Sequence, residues 1–189
     1  MILYKRIKLL APISANYGDK FARFLIVKDI RKYVQNLLKK GEKIINATKV
    51  ANVEYIICAD EVMQVDTFAM AQLNGNLYKI HEATNVAQKG DFIILKNGTL
   101  PRQYRMSINT AKQRYEFNEN KTKGIAKPIE KPQQFIQINR NIAFVSPWGS
   151  MMYLVKGGYL NITTSHIYAV QNYSFENTYS IIQDYDKTA

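Results

Sequence analysis

The sequence predicts an α+β protein, in which an N-terminal strand–helix–strand unit precedes two β-rich repeats with short helical turns. Three observations lead to this prediction. A single amphipathic helical stripe runs through residues 20–40, tyrosine is heavily used (13 residues), and the phrase KGDFII at 89–94 returns as KGGYLN at 156–161. Tyrosine together with abundant Ile and Val favours β structure, and a chain of 189 residues with 47% hydrophobic residues can bury a core.

The first predicted part, residues 1–77, combines strands with the one convincing helix. The alternation of residues 2–10 predicts a half-buried strand, and the apolar run 53–59 (VEYIICA) predicts a buried one. Between them, apolar residues at helical spacing predict a helix over Lys20–Lys40. The stripe consists of Phe24, Val27, Ile30, Val34, Leu37 and Leu38. Residues 61–73 fit both a helix and a strand.

The two glycine phrases belong to a longer match. When Gly90 is aligned with Gly157, a tyrosine pair spaced eleven residues apart follows in both copies, at 104 and 115 and at 168 and 179. This order predicts two β-rich repeats, 78–116 and 135–189, each made of a glycine turn, a hairpin and a short helical turn that ends at tyrosine. The segment 117–134 contains two prolines and few large apolar residues, which predicts a linker or an exposed excursion.

The second copy resembles the uncharacterised PGDYG domain of bacterial and phage proteins. The matching residues are Gly149, Gly157-Gly158-Tyr159, Phe175 and Tyr179, and the first copy supplies Gly90-Asp91-Phe92 and Tyr115. Neither copy has the proline, the first has Phe92 in place of tyrosine, and the second has Gly158 in place of aspartate. The resemblance covers residues 78–116 and 143–182, and it implies a fold more than a function, since the family has no established catalytic residues to transfer.

Positive charge is concentrated near the N-terminus. The formal charge is +11, and residues 1–45 hold eleven basic residues against three acidic ones. We therefore expect a non-enzymatic binding module whose basic face engages nucleic acid, a nucleoprotein complex or an acidic protein surface. The residues predicted to bind are Lys5, Arg6, Lys8, Lys28, Arg31, Lys32, Lys39, Lys40 and Arg105. The alternative for the helix is an ordinary solvated face.

A competing hypothesis is a small metal-dependent enzyme that acts on nucleotides or phosphodiesters. Its candidate catalytic residues are Asp60, Glu61, Asp66, His81 and His166, because carboxylates after a strand suit Mg²⁺ and histidine suits proton transfer. No second acidic cluster completes such a site, and ordinary strand or turn histidines are the alternative. Cys58 lies in an apolar run, which indicates a buried thiol. Glycine-rich phosphate loops are absent, and no cofactor or metal is predicted.

No apolar run is long enough for a membrane span or a signal segment, so the sequence predicts a cytoplasmic protein without a membrane partner. The small size and the phage-associated resemblance favour an accessory protein of a phage or mobile element, such as an inhibitor of host defence, which would act in the host cytoplasm. A homo-oligomer is compatible with the sequence.

Overall fold

A computed structural model describes residues 3–11, 18–98, 100–146 and 149–182. The protein is mostly β, with 54% of the described residues in strands and 14% in helices, and the sheets have a propeller-like arrangement. The predicted α+β class is therefore wrong. Residues 183–189 of the second predicted repeat lie outside the described residues.

Three short helices are present in the described part of the chain: α1 (Ile30–Lys39), α2 (Ile108–Arg114) and α3 (Asn172–Thr178). The strands of the same part are β1 (Tyr4–Leu9), β2 (Lys20–Val27), β3 (Ile44–Lys49), β4 (Val53–Ile57), β5 (Val62–Leu73), β6 (Asn76–Gln88), β7 (Phe92–Asn97), β8 (Leu100–Met106), β9 (Tyr115–Glu116), β10 (Lys123–Pro128), β11 (Gln133–Gln137), β12 (Ile142–Val145), β13 (Met151–Leu154), β14 (Tyr159–Asn161), β15 (Tyr168–Val170) and β16 (Tyr179–Ile181).

The strands form three larger sheets and one long hairpin. The four-stranded sheet has the order β1-β2-β12-β13, and the five-stranded sheets have the orders β8-β7-β4-β10-β9 and β15-β14-β11-β3-β16. The hairpin consists of β5 and β6. In the four-stranded sheet β12 runs parallel to β2, whereas the other pairs are antiparallel.

The first half of the predicted helix is a strand. Residues 20–27 form β2, in which the buried Ala22 and Phe24 alternate with the exposed Phe21 and Arg23. Such alternation is the pattern of a strand with one buried face, and pairing with β1 and β12 supplies the hydrogen bonds that a helix would otherwise make internally. Only the second half of the stripe is helical, as α1, and the ambiguous residues 61–73 are mostly β5.

The predicted strand–helix–strand unit is not a separate structural unit. β2 pairs with β12, β3 lies between β11 and β16, and β4 lies between β7 and β10. Partners for each of these N-terminal strands therefore come from much later in the chain. Long-range pairing of this kind leaves no local signal in the sequence.

The two five-stranded sheets have the same internal plan. In each, a hairpin is followed by a seven-residue helix and a short strand that starts at Tyr115 or Tyr179. The series β4–β5–β6–β7–β8–α2–β9 thus matches β11–β12–β13–β14–β15–α3–β16. The glycine turns also correspond, because Gly90 N–H donates to the Cys58 carbonyl (2.9 Å) and Gly157 N–H to the Ile138 carbonyl (2.8 Å).

A strand crosses the segment that the sequence predicts to be a linker or an excursion. β10 lies within residues 117–134 and pairs with both β4 and β9. Ala126 of this strand is fully buried, and Tyr55 of β4 lies against the backbone of Gly124. Small residues at these positions let β10 lie close to an aromatic core, so low apolar content here does not indicate exposure.

Both faces of the four-stranded sheet are packed, but not over their whole width. One face contacts the β5–β6 hairpin through a core that includes Phe24, Ala143 and Tyr78. The other face contacts α1 through Val27, Val34 and neighbouring residues of β12 and β13. Because α1 covers only the β12–β13 side, the second face stays open over β1 and the first part of β2.

Candidate functional site

The open part of the sheet carries a set of basic and aromatic side chains. In the antiparallel register of β1 and β2, Tyr4 lies opposite Leu25, Arg6 opposite Arg23, and Lys8 opposite Phe21. Directly opposed residues project from the same face, so these side chains form one surface. We call Tyr4, Arg6, Lys8, Phe21 and Arg23 the outer face; all five are exposed.

Each ring of the outer face is paired with an arginine. The Arg6 guanidinium carbon lies 4.4 Å from the centre of the Phe21 ring, and that of Arg23 lies 5.0 Å from the centre of the Tyr4 ring. The rings remain 53% (Tyr4) and 54% (Phe21) exposed. No other aromatic side chain in the described part of the chain is exposed. Among the described residues, exposed rings are thus confined to this surface.

A cavity of about 520 Å³ adjoins the outer face. It is lined by Tyr4, Arg23, Leu25, Asn139, Arg140, Asn141 and Lys156. The lining contains three cations and no acid. Asn141 links the backbone segments of two other lining residues: its side chain donates to the Arg23 carbonyl (3.2 Å) and accepts from the Lys156 N–H (2.8 Å).

A second cavity of about 180 Å³ lies beside α1 and shares Asn139 and Arg140 with the first. Its other lining residues are Tyr33, Asn36, Leu37, Lys40 and Glu42. Burial raises the pKa of the Tyr33 hydroxyl above its usual value, with a smaller opposing effect of Arg140. Tyr33 is therefore neutral at physiological pH, and the basic side chains that line this cavity are Lys40 and Arg140.

The predicted binding residues do not form one surface. Arg6 and Lys8 lie on the outer face, and Lys8 is paired with Asp19 at 2.8 Å. Lys5 projects from the opposite side of β1, where its amine lies 5.5 Å from the Tyr153 ring centre. Arg105 is on β8 in another sheet and is bound to Asp91 at 3.3 Å.

The cations of the helical region divide between two places. Lys40 lines the second cavity. Lys28 precedes α1, whereas Arg31, Lys32 and Lys39 are exposed on α1 and line neither cavity. The part of α1 that packs on the sheet consists of Ile30, Tyr33, Val34 and Leu37, so the outward cations are those expected for a solvated helix face.

Sequence reasoning missed Tyr4, Phe21, Arg140 and Lys156, and it did not assign Arg23 to the site. The available signal was the alternation of residues 20–25 (KFARFL), which places Phe21, Arg23 and Leu25 on one face if the segment is a strand. The prediction of a helix over the same residues concealed it. Arg140 and Lys156 are brought close only by the pairing of β12 with β2 and had no local signal.

The five candidate catalytic residues are not gathered at one site. Asp66 and His81 lie across the β5–β6 hairpin with 3.6 Å between the Asp66 Oδ1 and the His81 Nε2. Asp60 and Glu61 are in the turn before β5, where Glu61 contacts Lys89 at 3.3 Å. Asp66 lies four residue steps along β5 from Val62, a distance of roughly 13 Å. His166 lies between β14 and β15 in a different sheet.

The Asp66–His81 pair also lacks the geometry of a catalytic relay. Thr84 donates its hydroxyl to Asp66 Oδ1 (2.5 Å) and lies 3.2 Å from the same His81 Nε2 that faces the carboxylate. A relay needs the acid and the nucleophile on different ring nitrogens. The Thr84 hydrogen bond is the main cause of the lowered pKa of Asp66. Within the described residues, no group of three or more His, Cys, Asp or Glu side chains could hold a metal ion.

Cys58 is buried and free, in agreement with the sequence interpretation. In the part of the chain that the structure describes, every helix is too short or too polar to cross a membrane.

No protein-family model, curated protein or solved structure matches the chain. The resemblance to the PGDYG domain accordingly stays a prediction.

Proposed function

We propose that the protein binds nucleic acid without catalysing a reaction, through the outer face and the adjoining 520 Å³ cavity. The observation that carries the proposal is the pairing of each exposed ring with an arginine, next to a cavity that three cations and no acid line. Arginine offers a planar set of donors that fits phosphate oxygens and can also stack on rings. Such a surface presents both kinds of contact that nucleic acid requires.

The exposed rings favour nucleic acid over an acidic protein surface. Carboxylates would need only the cations, and two half-exposed rings would have no specific role. Bases and sugars supply flat apolar surface next to each negative charge, which matches rings and arginines placed side by side. A role as a phage or mobile-element accessory that inhibits a host-defence nucleoprotein is compatible with this proposal and stays a prediction.

The proposal is tested by removing two charges from the outer face. Arg6→Gln combined with Arg23→Gln should weaken binding of a labelled oligonucleotide of about 20 nucleotides, a length that covers known single-strand sites. The plot of log affinity against log salt concentration has a negative slope, and its magnitude should decrease by about 1.4, at roughly 0.7 per lost phosphate contact. Fluorescence anisotropy over about 50 to 200 mM salt measures both quantities.

A matched control removes the same charge from α1. Lys32→Gln combined with Lys39→Gln should leave affinity and slope close to the values of the unmodified chain, because these side chains line neither cavity. An equal loss in both variants would indicate attraction by net charge alone, and a loss only in the α1 variant would place the interface on the helix. Either outcome, or no binding by the unmodified chain, contradicts the proposal.

A further inference from the structure

We infer that the outer face selects single-stranded over duplex nucleic acid, because bases of an unpaired strand stack on Tyr4 and Phe21. This inference rests on the proposed function and specifies its ligand. It depends on three features of the site: which rings are exposed, how far apart they are, and what lies next to them.

The two exposed rings share one face of one hairpin. Tyr4 is on β1 and Phe21 is on β2, and all other aromatic side chains of the described residues are buried or half-buried. A ring that stays exposed to water does not gain the free energy of burial. Two such rings side by side therefore indicate a surface that a partner covers. A partner that covers them with flat apolar surface would restore that free energy.

The spacing of the rings fits an extended strand and not two neighbouring stacked bases. Phe21 lies opposite Lys8, so Tyr4 and Phe21 are four residue steps apart along the strand direction. At about 3.4 Å per residue this is roughly 14 Å. Consecutive bases in a stacked helix advance by only about 3.4 Å. Two neighbouring bases of a helix cannot cover both rings, whereas unstacked bases of an extended strand can.

A duplex offers these rings no base face unless its bases are first unstacked, which costs free energy. Base faces in a duplex are covered by the neighbouring pairs, and only base edges and phosphates are accessible in the grooves. Aromatic stacking is accordingly the usual means by which proteins hold single strands, and it tolerates any base because every base has a π-face. A duplex would contact the cations of the outer face and leave Tyr4 and Phe21 unused.

The charges lie where a strand on these rings would need them. Arg6 and Arg23 are directly opposite each other in the register, midway between the two ring positions. Arg23 also lines the 520 Å³ cavity with Arg140 and Lys156, so a strand that passes Tyr4 reaches three cations next.

The inference is tested on the full chain with two probes of equal length, a labelled oligothymidine of about 20 nucleotides and a mixed-sequence duplex of the same length. Tyr4→Leu and Phe21→Leu keep the charge unchanged. Each should weaken oligothymidine binding by about 5- to 140-fold, which corresponds to the loss of one base–aromatic stack. Duplex binding should change by less than about twofold, since the cations remain.

Phe68→Leu is the matched control. Phe68 is on β5, and the Lys79 amine lies 4.7 Å from its ring centre, so this variant removes a ring with the same kind of cation partner from another hairpin. It should leave both probes unaffected. Phe21→Trp, which keeps a stacking ring, should retain oligothymidine binding. Thermal melting confirms that each variant is folded.

The outcomes separate the inference from the proposed function. If the arginine variant weakens binding but the leucine variants change neither probe, or change both equally, the protein binds nucleic acid without stacking and the single-strand inference is wrong. If polyglutamate competes as well as oligothymidine at equal charge, the occupant is an acidic protein and both ideas fail. If the unmodified chain binds neither probe, the proposed function fails with it.

Discussion

At Gly158, the absence of a side chain is required by a neighbouring core residue. A Cβ at this position would overlap Cδ1 of Leu154 and lie 3.1 Å from the Val155 carbonyl oxygen. Leu154 is fully buried in the core between the four-stranded sheet and α1, so a shift of its side chain would disturb packed neighbours. The corresponding turn of the first sheet has Asp91, whose carboxylate accepts from the Gln88 N–H at 2.9 Å. The departure from the Gly-Asp-aromatic pattern thus has a packing cause that the sequence alone does not show.

Gly158→Ala should lower the free energy of unfolding by about 1–3 kcal/mol, because the added methyl group displaces Leu154 or the backbone of Val155. Urea unfolding followed by circular dichroism measures the change. Gly124→Ala is the control, since a Cβ there would lie 3.4 Å from the Tyr55 ring, at ordinary contact distance. Equal effects of the two substitutions would show that backbone entropy, and not overlap with Leu154, determines the stability.

At the level of elements, the apolar stripe of residues 24–38 fits helical periodicity over its whole length, although its first part is a strand. Phe24 and Val27 fall at helical spacing with Ile30 and Val34, but Phe24 also follows the two-residue alternation of β2. The chain changes from strand to helix at Lys28–Asp29, and Asp29 is the true N-cap: its side chain accepts from the Lys32 N–H at 3.0 Å. Asp19, which directly precedes the helix predicted over Lys20–Lys40, caps no helix; it accepts from the Ala11 N–H and pairs with Lys8.

Asp29→Ala should destabilise the protein by about 1 kcal/mol, because the N–H of Lys32 at the start of α1 loses its acceptor. In a chain of this size the melting temperature should fall by about 2–4 °C per kcal/mol. Differential scanning calorimetry measures the shift. Asp29→Ser, which retains an acceptor, should stay close to the unmodified protein. A loss as large in Asp29→Ser as in Asp29→Ala would exclude the cap as the cause.

Across the whole molecule, local features were predictable and long-range ones were not. The buried strand at 53–57, the helix from Ile30 and the helical turns that end at Tyr115 and Tyr179 follow from nearby residues. The pairing of β2 with β12 joins residues more than a hundred positions apart, and no periodicity within either segment specifies the partner. The same applies to the site: Arg6 was assigned from local charge, whereas Arg140 and Lys156 reach Arg23 only through that pairing.

The distribution of strand partners predicts that residues 1–77 do not fold in isolation. In this fragment β2 lacks its partner β12, β3 lacks β11 and β16, and β4 lacks β7 and β10. The fragment also ends after the first two residues of β6. The core around Phe24 also loses Tyr78, Ala143 and Tyr153. What remains is the β1–β2 hairpin and α1, and elements of that size are marginal in water on their own.

Far-UV circular dichroism and amide proton dispersion should show an unfolded chain, while the full protein gives a dispersed spectrum under the same conditions. Dispersed amide signals with cooperative melting of the fragment would mean that the N-terminal part is a domain of its own. Pairing with the later strands would then not be required for it to fold.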